Sequence, residues 1–229
     1  MKKAGLAVLV MLMMAVMAPP ALAQSGQMGL SAFGGWAIPL SSNPMEGRDG
    51  YDGPDASSFK STWTVGIEAY YGLPNGLTFG LGLQYLDLTA KATGPDGGGE
   101  VDFAKLSMTP IYLLVKYQQP VRSGLTWHVE AGLGYNLASV SKSYGITDME
   151  TALGESISVD AKNKIMFLAG AGLDYFFQPN VSVGASLRYW YSKVDVDMTG
   201  ATSGVLSRNT YNAQNIQVLV GVTFWFSTF

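Results

Sequence analysis

Hydrophobic and polar residues alternate along most of this chain with a period of two, the pattern of a β-strand that has one apolar face. The pattern is clearest in the last segment, residues 216–229. Its apolar row consists of Ile216, Val218, Val220, Val222, Phe224 and Phe226. The other row carries Gln217, Gly221, Thr223 and Ser227. We therefore predict that the chain closes on a strand with one apolar face.

Seven earlier segments alternate in the same way, so the sequence predicts eight strands. They are residues 27–40, 61–72, 77–90, 101–118, 125–140, 165–177 and 181–191. Phe33 interrupts the first apolar row, and Pro110 makes the fourth strand ambiguous. Short connections at 73–76, 119–124 and 178–180 alternate with an intermediate one at 93–100 and with long polar stretches at 41–60, 141–160 and 193–211. This layout predicts an all-β, up-and-down antiparallel transmembrane barrel with short periplasmic turns and long extracellular loops.

Alternation does not by itself show which face meets lipid, because a soluble barrel around a ligand alternates too. Charged residues make up only 14% of the chain, against about 25% in ordinary soluble domains. The polar rows consist mainly of Gly, Ser, Thr and Gln, which suit a narrow lumen better than a surface in water. Aromatic residues fall near both strand ends, as two membrane girdles require. They are Trp36, Trp63, Tyr85, Tyr135, Tyr189 and Tyr191 near the loops, and Tyr71, Tyr117, Trp127, Tyr175 and Phe177 near the turns.

The first 23 residues have the features of a signal peptide that is cleaved on export. Lys2 and Lys3 precede an apolar stretch at 4–18 and an Ala21-Leu22-Ala23 site. That stretch is shorter than the roughly 20 residues of a membrane-spanning helix, which disfavours a retained anchor. The barrel domain is then 24–229, with 12 basic and 17 acidic residues and a net charge of −5. This charge argues against nucleic acid as a partner. The lack of cysteine excludes a lipoprotein and a disulfide framework.

Three segments resemble the eight-stranded outer-membrane β-barrels of the OmpA/OmpX type and the opacity-like surface proteins. They are TPIYLLVKY at 109–117, AGAGLDY at 169–175 with the QPN turn at 178–180, and the closing strand. The resemblance covers nearly all of 24–229 and implies a monomer in the bacterial outer membrane that contacts its lipids. It also implies that the closing strand is the signal for the barrel-assembly machinery, carried by Val218, Val220, Val222, Phe224, Phe226 and Phe229. Either Phe226 ends this signal, or a bulge returns Phe229 to the lipid side.

The predicted lumen contains few ionisable residues: Glu68, His128, Glu130, Asp174 and Arg188, with Lys116 and Lys164 as further candidates. Since a charge in a narrow lumen is costly unless it is paired, we predict that Arg188 bridges Glu68 and Glu130. Such a network either plugs the lumen or lines a solute path. The leading hypothesis is a structural or surface-interaction protein with a filled lumen. The alternative is a narrow channel for small or apolar solutes, as in the OmpW-like barrels.

An enzyme is the third class considered. His128 is the only histidine, and the eight-stranded lipid A deacylases carry a His-x-Ser pair, whereas position 130 here is Glu. We therefore expect no catalytic activity and no cofactor. Asp49, Asp52 and Asp55 lack the frame of a calcium loop, so no metal site is expected. An unidentified extracellular partner would meet the long loops, which carry Tyr51, Phe59, Tyr144, Met149 and Tyr211.

Overall fold

The computed structural model describes residues 26–40, 45–47, 56–93, 100–142 and 144–227. This part of the chain consists almost entirely of β-strands, with one short α-helix. The strands are β1 (Gln27–Pro39), β2 (Met45–Gly47), β3 (Ala56–Phe59), β4 (Thr62–Gly72), β5 (Leu77–Thr93), β6 (Glu100–Arg122), β7 (Leu125–Lys142), β8 (Ile157–Lys162), β9 (Lys164–Gln178), β10 (Val181–Gly200), β11 (Gly204–Asn212) and β12 (Asn215–Ser227). The helix is α1 (Tyr144–Leu153). Within the described residues, no helix has the length and the apolar character needed to cross a membrane.

Eight of these strands form a closed ring in which each is antiparallel to its neighbours. The order is β1, β4, β5, β6, β7, β9, β10 and β12. The ring closes because β12 pairs with β10 on one side and with β1 on the other, where Gln27 lies opposite Ser227. A closed ring leaves no strand edge in the membrane, where unpaired backbone groups would be costly. The predicted eight-stranded up-and-down barrel is confirmed.

The remaining four strands continue ring strands upward, beyond the aromatic girdle. β8 and β9 both pair with β10, with Asn163 between them. Strand β11 pairs with the upper part of β10, above the part that pairs with β12. Strand β3 pairs with the upper part of β5, above the part that pairs with β4. Strand β2 pairs with β11. The predicted polar loops at 141–160 and 193–211 are therefore wrong as loops, because they contain α1 and β8 and the β10–β11 hairpin. Within the predicted loop at 41–60, the described residues form β2 and β3.

Most of the predicted short connection at 119–124 is also strand, because β6 continues to Arg122. The other two short turns match the sequence prediction. A single 3-10 turn, Pro74–Gly76, joins β4 to β5, and Asn75 and Gly76 have φ angles of 73° and 81°. Glycine and asparagine are the residues that tolerate this left-handed region. Pro179 and Asn180 join β9 to β10. The predicted Gly94–Gly99 connection lies outside the described residues.

The apolar rows face outward, as predicted. On β12, all six members of the row from Ile216 to Phe226 are exposed, and Phe226 is 55% exposed. Both predicted girdles are on the outer surface, with Trp36, Trp63, Tyr135, Tyr71 and Tyr175 among their exposed members. Val181 is buried beside an irregularity in the pairing of β9 with β10, although its register opposite Phe224 keeps it on the outward face. Phe229, like the signal segment at 1–23, lies outside the described residues.

Inward residues of the upper barrel form an apolar cluster that contains Leu86, Leu88, Leu106, Val194 and Val196. Phe59 and Tyr211 also belong to it, and their ring centres lie 6.2 Å apart. Both residues are therefore buried inside the barrel, although the sequence predicted them in polar loops. Met149 packs against a second cluster beneath α1. Tyr51 and the side chain of Tyr144 lie outside the described part of the structure.

Candidate functional site in the barrel lumen

A guanidinium group joins two carboxylates across the middle of the lumen. Nη2 of Arg188 on β10 lies 2.9 Å from Oε1 of Glu68 on β4, and its Nε lies 2.8 Å from Oε1 of Glu130 on β7. All three side chains are almost fully buried. The predicted Arg188 bridge is therefore present in the structure.

The registers of the strands explain how these residues meet. Glu130 lies opposite Gly170 of β9, and Gly170 lies opposite Arg188. Strand β9 therefore separates the two charged residues, with a glycine at their height. β9 places no side chain between them at this height, and the long arginine side chain reaches across it. Glu68 comes from the opposite wall, which makes Arg188 a bridge across the whole lumen.

Two tyrosines complete the coordination of Glu68. The hydroxyl of Tyr112 donates to Oε1 of Glu68 at 2.6 Å, and the hydroxyl of Tyr70 donates to Oε2. Nη1 of Arg188 also donates to the Tyr112 hydroxyl at 3.2 Å. The ring of Phe33 lies 5.4 Å from the guanidinium carbon. A buried carboxylate that accepts three hydrogen bonds is well compensated for its loss of water.

Sequence reasoning missed both tyrosines and Phe33, although the strand period could have located them. Tyr112 alternates with the lipid-facing Ile111 and Leu113, and Phe33 alternates with lipid-facing residues on β1, so both had to point inward. Tyr112 needs Gly82 opposite it: a Cβ atom at position 82 would lie 2.3 Å from the Tyr112 ring.

A second polar pair lies beside the Arg188 bridge. Nδ1–H of His128 donates to Oδ2 of Asp174 at 2.7 Å, and both side chains are buried. Lys116 is buried as well, with its ammonium 4.7 Å from the centre of the Tyr70 ring. These groups and the Arg188 bridge line one cavity of about 40 Å³. A water molecule needs roughly 10–15 Å³ of such volume, so this cavity has room for only a few.

Aromatic side chains lie on both sides of this polar layer in the lumen. Toward the short turns, Trp225 stacks on Tyr70 at 6.0 Å and packs against Phe176 at 6.4 Å. We call these three residues the aromatic floor. Toward the long connections, Trp190 meets the ring of Tyr112 edge-on at 6.0 Å. The polar layer therefore lies between two sets of rings.

The five lumen residues predicted from the sequence, Glu68, His128, Glu130, Asp174 and Arg188, all meet in this layer, and Lys116 joins them. Lys164 does not: it is 46% exposed and pairs with Asp195 at 2.8 Å. His128 is hydrogen bonded to Asp174, while Glu130 is bound to Arg188. No group of three or more potential metal ligands occurs among the described residues.

The chain forms a closed ring of eight antiparallel strands with an apolar outer face between two aromatic girdles and a polar lumen. These features define an integral membrane β-barrel. The chain belongs to the outer membrane protein beta-barrel domain family, whose model matches residues 6–224. This membership places it in the bacterial outer membrane. A search of curated proteins finds no significant match.

Solved outer-membrane barrels share this fold at low sequence identity. OprG from Pseudomonas aeruginosa is 14% identical, with a TM-score of 0.70 over 89% of this chain and 97% of OprG. AlkL, solved in lipid bilayers, is 16% identical, with a TM-score of 0.55 over 92% of this chain and 95% of AlkL. Neisserial surface protein A is 16% identical, with a TM-score of 0.50 over 88% of this chain and 98% of its own. At these identities the likeness establishes the fold alone.

Proposed function

We propose that this protein is a closed outer-membrane barrel with a structural or surface-interaction role, and not an open pore. The observation that carries the proposal is the Arg188 bridge, which crosses the lumen from β10 to both β4 and β7. Moving a solute through it would require breaking buried ion pairs and leaving their charges uncompensated, which is costly. The aromatic floor adds a second barrier below it.

The upper wall supports a role at the cell surface. The barrel strands continue above the loop-side girdle as β2, β3, β8 and β11, and α1 lies among them. Paired strands give a firmer binding surface than free loops, since less conformational freedom is lost on contact. We propose that an extracellular partner meets this region, that the protein acts as a monomer after its signal peptide is removed, and that it has no catalytic activity.

Liposome swelling tests the closed-barrel proposal. Proteoliposomes containing the wild-type chain are expected to swell no faster than empty liposomes in any of a series of sugars of increasing size. The quadruple variant Arg188→Ala, Glu68→Ala, Glu130→Ala, Trp225→Ala removes both barriers and is expected to admit the smallest sugars. Asp87→Asn serves as control, because Asp87 pairs with Lys105 outside the lumen. Size-dependent swelling with the wild-type protein would contradict the proposal.

A narrow channel for apolar solutes is the second candidate, and a specific observation favours it over a hydrophilic pore. The upper lumen is lined by apolar side chains such as Leu86, Leu88, Leu106 and Val196, which disfavour ions and sugars. Leu88→Asp would place a charge in this lining. If the protein carries apolar solutes, this variant should lose uptake of a fluorescent apolar probe in vesicles, while the variant Asp87→Asn should keep it. Equal uptake in vesicles without protein would reject this candidate.

A further inference from the structure

Helix α1 packs on the inner face of the wall at the extracellular end of the barrel. It packs against β6 and β7. Ile146 on the helix is fully buried against Ile157 of β8 and Met198 of β10, together with the inward residues Val140 and Val159. The strands β6, β7, β8 and β10 that supply these contacts follow one another around the wall. Because Ile146 packs on their inward residues, the helix lies on the inner side of the wall and not along the outer surface.

One carboxylate fixes the end of this helix to the wall. Oε1 of Glu150 lies 2.6 Å from Nζ of Lys142 at the top of β7. The same oxygen accepts the backbone N–H of Ile157, the first residue of β8, at 2.7 Å. Glu150 thus connects α1 to strands on both sides of it.

A second carboxylate fixes the segment between α1 and β8 to the β10–β11 hairpin. Oε2 of Glu155 accepts the backbone N–H groups of Thr202 at 2.6 Å and Ser203 at 3.1 Å, and the Ser203 hydroxyl donates to Oε1. A backbone bond from Ala201 N–H to the Ser156 carbonyl at 3.1 Å runs beside it. Consecutive N–H groups of a turn form a favourable site for an anion.

We propose that α1 is a lid over the extracellular mouth, held closed by Glu150 and Glu155, and that acid releases it. Both side chains are at the surface, outside the membrane-spanning region. The pKa of Glu150 is lowered mainly by its hydrogen bond from Lys142 and next by the bond from the N–H of Ile157. The pKa of Glu155 is lowered mainly by its hydrogen bond from the Ser203 hydroxyl and next by the bond from the N–H of Thr202. This inference concerns the mouth alone and is independent of either proposed function.

The direction of the effect follows from these contacts. A carboxylate whose pKa is lowered in the closed state stabilises that state above its ordinary pKa of 4.5 and loses this contribution as the pH falls below it. Lys142 is the charged residue that pairs with Glu150. Other charged groups of the upper wall pair among themselves, as Lys105 with Asp87, Lys60 with Asp102, Lys162 with Asp197 and Lys164 with Asp195. Asp148 on α1 and Asp160 on β8 are exposed, and Arg208 lies on β11.

Hydrogen exchange followed by mass spectrometry tests the lid on the full chain in lipid nanodiscs. After correction for intrinsic rates, exchange of the α1 amides is expected to rise roughly tenfold between about pH 7 and about pH 3.5, while the membrane strands stay protected. The double variant Glu150→Gln, Glu155→Gln should show the fast exchange already at neutral pH. Each glutamine keeps the size of the side chain and removes the charge that accepts these bonds.

Asp87→Asn is the matched control, because it removes another ion-paired carboxylate of the wall without touching α1. Its α1 exchange should equal that of the wild type. A heat-dependent shift in gel mobility confirms that each variant is folded. Unchanged α1 exchange in the double variant, fast α1 exchange of the wild type at neutral pH, or an equal rise in Asp87→Asn would each overturn the proposal.

Discussion

Nε of Arg188 lies 2.8 Å from Oε1 of Glu130, although β9 separates the strands that carry them. Contact over the top of an intervening strand is possible because that strand presents glycine at the same height. The bridge therefore depends on the absence of a side chain at Gly170 of β9 as well as on the charges themselves. It holds buried charges of three strands together in the lumen.

Removal of Arg188 should destabilise the barrel strongly. Arg188→Met leaves Glu68 and Glu130 buried without their cation, and the loss of one partner from a buried ion pair costs about 3–5 kcal/mol. Urea unfolding in detergent micelles, followed by tryptophan fluorescence, measures the change. The triple variant Arg188→Met, Glu68→Gln, Glu130→Gln should recover most of the loss, since it leaves no unpaired charge. A wild-type unfolding midpoint for Arg188→Met would show that the bridge contributes nothing.

A methyl group at position 82 should be poorly tolerated. Gly82→Ala places a Cβ atom 2.3 Å from the Tyr112 ring, which must then move away from Glu68 and Arg188. Overpacking of this kind typically costs about 1–3 kcal/mol. The control is Gly34→Ala, where the nearest atoms to a new Cβ are 3.6 Å away. Unfolding midpoints of the two variants should differ clearly, and equal midpoints would count against the packing described for Tyr112.

The aromatic floor and the Arg188 bridge should act as two barriers in series. Trp225→Ala removes the ring that stacks on Tyr70 and packs against Phe176. In planar bilayers this variant alone should remain non-conducting, because the bridge still crosses the lumen. Combined with removal of Arg188, Glu68 and Glu130, it should conduct more than the bridge variant does. Substantial conductance of Trp225→Ala alone would mean that the floor is the only effective barrier.

The end of the assembly signal can be located by two variants. Phe226 is the last described member of the lipid-facing row on β12 and is 55% exposed. We expect Phe226→Ala to accumulate unassembled chain, while deletion of residues 227–229 leaves assembly intact. The heat-dependent gel shift of outer-membrane fractions measures both. If the deletion fails and Phe226→Ala assembles, Phe229 is the residue that the assembly machinery requires.

The upper wall shows where sequence reasoning fell short. Val194, Val196 and Met198 alternate with Lys193, Asp195 and Asp197, a strand pattern that the charged residues obscured. Here the polar row lies on the outer side of the wall, where Asp195 and Asp197 pair with lysines, and the apolar row faces inward, the reverse of the membrane region. A segment judged by its polarity was thus predicted as a loop, whereas its period indicated a strand.

The sequence by itself determined the strand count in the membrane, the lipid-facing rows, both girdles and the inward position of every charge in the lumen. A period of two fixes the face of each residue, and lipid tolerates only closed pairing of the backbone. The tertiary structure decided which inward residues meet. The contacts of Glu68 with Tyr70, Tyr112 and Arg188, and of α1 with the mouth, depend on strand register and on curvature around the ring. These properties arise from the pairing of segments far apart in the chain, which no local pattern contains.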